Sequence, residues 1–480
     1  MGNAKNRNFP RALRLWRRAR GKKISMDKPI QFFSTNLKSG NLRFHEALLK
    51  GQAPDKGLYL PVSIPQIPVE EIIDFGRKEY WEIAYHVTKR FLKGEISDDE
   101  LITIARDSYN YEVPLEHVSD RKYVMRLDRG PTASFKDFAA RMMGRLMQYY
   151  LQTGNRRLLI LTATSGDTGS AVANAFYGLD NIDIVVLFPK DEVTDRQRKQ
   201  MTTLGKNVNV LALDAKFDDC QALVKQAFAD ASLDHLGLSS ANSINIGRLV
   251  PQIVYFFYAY AKLSSPGEQI IFSVPSGNFG DMMGGVLAMK MGLPVRRFII
   301  ATNQNDEFPN YLNSGKYNKI EPSRNCISSA MNVGHPSNLA RLVALYGGIM
   351  DEKGAILRSA DMERMRKELW GISITDAETR KTIDEAWKQW KLLLEPHGSV
   401  GWTGLMKYIL EQGDNFKKDQ LCVSLETAHP AKFPDEINKI TGIDPELPQS
   451  LQGIDNKPEF FTDLPNNYTS FKSWLNTNFK

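Results

Sequence analysis

The sequence predicts an α/β protein in which a mostly parallel sheet is wrapped by helices and preceded by a smaller domain. Three observations predict it. After Asp120, short apolar runs alternate with stretches of helical period, so that strand, turn and helix repeat along the chain. Before Val118 the pattern is different and mostly helical. The chain is also 480 residues long, more than one core usually serves, which implies roughly two to three domains at ~150 residues each.

Taken in order, Gln31 to Thr35 reads as a short extended segment, followed by helical patterns over Arg43 to Lys50 and over Pro68 to Leu92, the latter opened by proline. Apolar runs then fall at Val124 to Leu127, Leu158 to Leu161, Ile184 to Phe188, Val208 to Leu213 and Ile270 to Val274, each with a helical period behind it. The richest apolar stretch, Ile253 to Ala261, ends at Lys262, far short of the ~20 residues of a membrane-spanning helix, and reads as a buried helix. Residues 305 to 350 carry turn residues and weak periodicity. Asp361 to Leu394 reads as one long helical stretch rich in charge and tryptophan, and Leu421 to Leu425 as a late run that returns to the sheet. No internal repeat is visible. The expected division is a basic tail at 1–27, a leading domain at 28–118, a main α/β region at 119–445 and a C-terminal extension at 446–480.

Apolar residues make up 42% and charged residues 24% of the chain, values of a folded soluble protein, which argue against collagen-like, membrane-spanning and wholly disordered classes. Cys220, Cys326 and Cys422 are odd in number and widely spaced, suiting neither a disulfide framework nor a metal knuckle, so a reducing compartment, the cytoplasm, is expected. Seven histidines form no HxxxH or HExxH pair, and no structural metal is expected. The formal charge of +7 invites a nucleic-acid reading, but its position argues against one. Nine of the 62 basic residues precede Met26 with no acid among them, leaving 53 against 55 acidic residues, a net of −2. The tail is Arg-rich and acid-free like a transit peptide, yet poor in serine and without the apolar core of a secretory signal. It is a cleaved presequence, a basic arm, or an upstream stretch of reading frame before Met26, and its composition favours the last two.

In open α/β sheets ligands sit beyond the carboxyl ends of the strands, so the turns after the apolar runs are where chemistry is sought. In GPTASFKDFAAR, Gly130 to Arg141, a lysine stands at the mouth of a helix between Phe135 and Phe138. Burial there disfavours the ammonium and leaves Lys136 an amine able to attack an aldehyde, as a Schiff-base lysine must; the plain alternative is a solvated lysine opening a helix. In TATSGDTGSAVANAF, Thr162 to Phe176, small and hydroxyl residues precede a helix whose amides suit a carboxylate or phosphate, although Ser-Gly-Asp-Thr is also an ordinary helix cap. VPSGNFGD, Val274 to Asp281, offers successive free amides that can cradle a phosphate dianion without a lysine. It is neither a Walker A loop nor GxGxxG, so nucleotide hydrolysis and hydride transfer lack their signatures. ETAHPAKF, Glu426 to Phe433, places Thr427, His429 and Lys432 after the last run: the threonine suits a ring nitrogen, and the two basic groups an anionic substrate, although a lone histidine before proline is more often structural. SANSINIGR, Ser240 to Arg248, brings amides, hydroxyls and one guanidinium suited to a second anion, or a capped helix start.

Together and in this order, these segments resemble the threonine synthases, a branch of the pyridoxal-phosphate enzymes with the tryptophan-synthase β-like fold. FFSTN and KGLYLP extend the resemblance into the leading domain, so that it covers Phe32 to Phe433. It implies two open, mostly parallel twisted sheets flanked by helices, as two interleaved subdomains, with a smaller N-terminal domain. It further implies that Lys136 carries pyridoxal 5'-phosphate, that Gly277, Asn278, Phe279, Gly280 and Asp281 hold its phosphate, and that Thr427 faces its pyridine nitrogen. Ser165, Gly166, Asp167 and Thr168 would take the substrate carboxylate, and Asn242, Ser243, Arg248 and Lys432 the leaving phosphate. The implied reaction turns O-phospho-L-homoserine and water into L-threonine and phosphate in threonine biosynthesis, by γ-elimination and then β-addition, with no nucleic-acid or membrane partner and as a monomer or homodimer. A related lyase or dehydratase acting on a phosphorylated or hydroxylated amino acid, or a non-catalytic relative, would share most of these parts. Two departures stand out: Asp167 replaces the asparagine common in the wider fold group, which bears on the contact to the cofactor's 3'-oxygen, and Asp128-Arg129 replace Phe-His before Gly130.

Overall fold

Two sheets of parallel strands carry the structure, and the chain visits them in interleaved order. The computed structural model describes residues 29–154, 156–164 and 166–479, apart from the side chain of Asp218; the basic tail and Ser165 lie outside the described residues. The strands are β1 (Phe32–Ser34), β2 (Tyr59–Pro61), β3 (Leu115–Ser119), β4 (Lys122–Arg126), β5 (Leu158–Ala163), β6 (Ile182–Pro189), β7 (Val208–Leu213), β8 (Leu238–Ser239), β9 (Ile270–Pro275), β10 (Val295–Thr302), β11 (Ile349–Met350), β12 (Ile356–Arg358), β13 (Leu369–Ser373), β14 (Cys422–Glu426) and β15 (Thr462–Leu464). One sheet has the order β13-β10-β9-β14-β4-β3, parallel except for the β3–β4 hairpin. The other, β15-β7-β6-β5-β8, is parallel throughout. The segment that builds β5 to β8 is thus inserted between β4 and β9, neighbours but one in the first sheet.

Strands buried on both faces explain the continuous apolar runs. In β5, Leu158 and Ile160 enter the large central core while Leu159, Leu161 and Ala163 pack on the outer face. In β9, Ile270, Phe272 and Val274 face that same central core and Ile271 the outer one, the period-2 alternation of a strand. Helices cover both outer faces. The C-terminal residues are part of this build: β15 extends the five-stranded sheet beside β7, and Phe471 and Leu475 of the Tyr468–Asn478 helix bury into its outer core. The expected Asp361 to Leu394 helix is divided instead into Met362–Glu368, strand β13 and Asp376–Trp390. Pro68 to Leu92 is likewise broken after Asp74, with a second helix, Tyr80–Leu92, opened by reciprocal hydrogen bonds between Glu79 and Glu82.

The leading segment, with the antiparallel β1–β2 pair and helices Phe44–Lys50, Tyr80–Leu92 and Asp98–Ser108, shares the central core. One of its ties to the rest is Arg341, wholly buried, whose guanidinium donates to the carbonyls of Tyr59 at 2.9 Å, Ser243 at 3.0 Å and Ile244 at 2.6 Å and to Asn338 Oδ1 at 2.6 Å. Burial pushes this guanidinium down to about 9. Arg341→Met keeps much of the volume but strips three carbonyls of a charged donor, and is expected to lower the unfolding free energy by about 3 kcal/mol, read from a shifted urea midpoint. An unshifted midpoint would show the tie to be dispensable.

Among the described residues no helix is long and apolar enough to cross a membrane, and no group of three or more His, Cys, Asp or Glu side chains is placed to hold a metal ion. Cys220, Cys326 and Cys422 are free and buried.

Candidate active site

Lys136 opens the Lys136–Gly154 helix at the carboxyl end of β4. The loop before it is held from two directions. Asp137 Oδ2 accepts from Thr132 N at 2.8 Å and its Oδ1 from Thr132 Oγ1 at 2.6 Å. Phe135 N donates to the Thr427 carbonyl and His429 N to the Ala133 carbonyl, so the residues after β14 lie clasped along those after β4. The lysine Nζ sits 4.6 Å from the Phe135 ring centroid and 3.8 Å from Asp167 Oδ2. Burial lowers its proton affinity below that of an ordinary lysine; Asp167 opposes this, Lys432 and Arg248 add to it, and Asp281 opposes it.

After β9, Phe279 takes a left-handed backbone with φ 62° at the head of the Gly280–Lys290 helix. Such a conformation is costly for a bulky residue, and here it is held by a buried ring that packs edge-on against Phe308 with centroids 5.0 Å apart. The amides of Gly277, Asn278, Phe279 and Gly280 donate to no protein acceptor among the described residues, leaving an anion-sized set of donors at a helix start. Gly277 cannot carry a side chain, because a Cβ there would stand 2.8 Å from Met331 Cα. Asn278 is committed: Oδ1 accepts from Ser337 N at 2.7 Å and Nδ2 donates to Ser243 Oγ at 3.0 Å. Asp281 is buried, and burial raises its carboxyl to about 6.

Asn278 thereby joins this loop to the Ser240 to Arg248 segment. Arg248 is 3% exposed; its Nη1 donates to the Ala241 carbonyl at 2.8 Å, while its Nε has no partner among the described residues. Asn242 Oδ1 is likewise buried and unpaired. An unmade hydrogen bond at a buried polar atom costs roughly 1–3 kcal/mol, so two orphans on one segment mark a place for a polar ligand. Burial pushes the Arg248 guanidinium down to about 10, with Asp137 opposing.

After β5, Thr164 Oγ1 accepts from the amides of Gly166 and Gly169, at 3.0 and 2.8 Å, while those of Asp167 and Thr168 stay free of protein acceptors among the described residues. Gly166 has φ 130°, open only to glycine. Thr427 is buried after β14.

Lys432, Asp167 and His429 are each engaged by protein partners. Lys432 is not a free ligand for an anion: it is 0% exposed and bound to Asp167 Oδ1 at 2.6 Å and the Thr132 carbonyl at 3.0 Å. Asp167 is a paired carboxylate that would repel a substrate carboxylate, leaving only its backbone amide to bind one. His429 Nδ1 accepts from Ala431 N at 3.1 Å, and burial pushes its imidazole down to about 4, so it caps a turn as a neutral group. Sequence reasoning missed Gln197, on the Asp195–Thr202 helix, whose Nε2 donates to Asp167 Oδ1 at 3.0 Å. It also missed Asn303 and Asn305, a buried pair beyond β10. The strand before the asparagines was the available signal; nothing in the sequence singles out Gln197.

A lysine, a glycine-rich anion loop and a hydroxyl gathered at the carboxyl ends of β4, β9 and β14 define a class, and the comparisons agree with it. The family model described as pyridoxal-phosphate dependent enzyme matches residues 112–427, which makes this a pyridoxal-phosphate-dependent enzyme, a lyase by the activity its relatives are named for. Models for the threonine synthase N terminus and C-terminal region match residues 31–109 and 400–474. Threonine synthases of Haemophilus influenzae and Escherichia coli are 36% and 35% identical, over 90% and 92% of this chain and 96% and 98% of theirs. A solved pyridoxal-phosphate-bound threonine synthase of Brucella melitensis superposes with a TM-score of 0.87 at 36% identity, covering 93% of this chain and 99% of that one; the yeast enzyme gives 0.86 at 27%, covering 94% and 99%. The chain belongs to the threonine synthase family.

Proposed function

We propose that this chain converts O-phospho-L-homoserine and water to L-threonine and phosphate. The observation that carries the substrate is Arg248, buried with an unpaired Nε on the segment that Asn278 ties to the amide loop at 277–280: a cation in addition to that loop, which suits a second phosphate. A lyase acting on a hydroxy-amino acid has no use for it.

The residues fit pyridoxal phosphate. Four free amides and a position closed to any Cβ suit its phosphate at Gly277, Asn278, Phe279 and Gly280, with Asp281 behind them, and the buried Thr427 hydroxyl suits its ring nitrogen. Lys136, its ammonium destabilised by burial, is the amine that links to the aldehyde. When bound, the cofactor supplies the electron sink. The chain supplies the rest. The free amides of Asp167 and Thr168 orient the substrate carboxylate, as Gly166 permits, and Ser165, next to Gly166 in sequence, is assigned to the same carboxylate. Arg248, with Asn242 and Ser243, holds the phosphate that leaves Cγ. Lys136, once released, takes the protons from Cα and Cβ as the phosphate leaves Cγ, returns one to Cγ, which becomes the methyl group, and returns one to Cα after water has added at Cβ. We further place this chemistry in the cytoplasm, in a monomer or homodimer; three buried free thiols support a reducing compartment.

The test follows free phosphate and threonine together after adding O-phosphohomoserine. Equal amounts of both are expected. Phosphate without threonine would make the chain a lyase that stops after elimination, and neither product would remove the substrate assignment.

A further inference from the structure

Asp167 heads the Asp167–Phe176 helix with each carboxylate oxygen differently engaged. Oδ1 receives Lys432 Nζ at 2.6 Å and Gln197 Nε2 at 3.0 Å, while Oδ2 lies 3.8 Å from Lys136 Nζ. Both donors on Oδ1 are fixed. Lys432 is wholly buried and also bound to the Thr132 carbonyl, which Gln200 Nε2 holds from the other side at 3.1 Å. Gln197 is buried, and its amide group fills the space where a Cβ on Gly166 would stand, 2.5 Å away. Gln197 and Gln200 belong to one helix, whose Arg196 donates to the Ala431 carbonyl at 2.5 Å, so that helix pins Asp167, the Lys136 loop and the turn carrying Lys432 together. The carboxylate cannot swing away from Lys136 without breaking both bonds on its far oxygen.

We propose that Asp167 is the counter-ion of the Lys136 nitrogen when that nitrogen is protonated in its cofactor-linked form, and that Lys432 and Gln197 are the positioning residues that keep its Oδ2 turned to that nitrogen. This rests on the reading of Lys136 as the cofactor-bearing lysine. The charges around the pair fit the assignment. Burial opposes ionisation of Asp167, but Lys432 first and Lys136 next outweigh it, with a smaller contribution from His397 on the Pro396–Gln412 helix, and hold the carboxyl well below its usual range. Lys136 faces Asp167 and Asp281 against Lys432 and Arg248. A carboxylate fixed as an ion favours a protonated nitrogen at the linkage without taking its proton, and a protonated nitrogen draws electrons from the substrate more strongly. The ion pair also keeps the net charge beside the lysine near zero, which a lone buried carboxylate could not do.

The test is an absorbance titration of the holoenzyme, reading the midpoint between the protonated and unprotonated colours of the lysine–cofactor linkage. Asp167→Asn removes the charge and keeps the shape, so the protonated form loses support and the midpoint falls, by about one to three pH units. Gln197→Ala frees one side of Oδ1 and is expected to move the midpoint the same way by less than about one unit. An Asn variant that binds cofactor but titrates like the parent overturns the proposal, even with lowered heat stability, because a merely structural tie would behave so. Should the Asn variant not fold, an unmoved midpoint in Gln197→Ala overturns it instead. A parent whose visible band survives in Lys136→Ala has no Lys136 linkage at all; the reading of that lysine then fails and takes this inference with it.

Discussion

Lys136→Ala is expected to abolish the visible band of the lysine-linked cofactor and to lower the rate of threonine formation on the order of a thousand-fold or more. In the proposed reaction the lysine is asked for two things that alanine cannot do: to hold the cofactor covalently, and to move protons at Cα. Its surroundings explain why its neighbours cannot substitute. Lys432 is the nearest other amine, but it is locked between Asp167 and the Thr132 carbonyl, and Arg248 stays charged even where burial pushes it down to about 10. Retained threonine production in the alanine variant, with phosphate released in step, would remove Lys136 from the chemistry.

Arg248→Met is the second large effect, and its signature differs. The cofactor band should persist, because the loop at 277–280 and Lys136 are untouched, while kcat/KM for O-phosphohomoserine falls by about a hundred- to a thousand-fold. Inorganic phosphate, if it inhibits by occupying this pocket, should lose most of its inhibition in the same variant. Were Arg248 only a structural cation, the variant would melt earlier but bind phosphate as before.

Much of this site was legible because anion-binding turns leave a local trace: small residues after an apolar run, then a helix. Lys136, Gly277 to Gly280 and Thr427 were singled out that way, and the strands before them, β4, β9 and β14, adjoin in one sheet. What stayed hidden is what depends on partners remote in sequence. Lys432 looked like a substrate ligand because a lysine after a strand says nothing about the aspartate waiting beside it. Gln197 lies in DRQRKQ, a capped polar helix on inspection, and acts only through the face it turns to Gly166. Among the strands, β10 begins Val-Arg-Arg and was masked by its exposed end, and β13, Leu369–Ser373, is five residues between two charged helices. β15 has only Leu464 buried, so its place in the sheet comes from pairing with β7 and not from apolar character.

The interleaved threading of the two sheets carries a consequence for how the molecule comes into being. The loop that presents Lys136 is closed by the segment after β14, and the bond from Lys432 to Thr132 spans 300 residues. At roughly 5–20 residues per second, synthesis leaves the lysine loop without its clasp for about 15–60 s. In a nascent chain the lysine loop therefore stays unclasped, however well the first half has collapsed. Completing the loop requires translation to pass β14, and a product truncated before it is expected to hold the cofactor poorly, read from a weak or missing visible band.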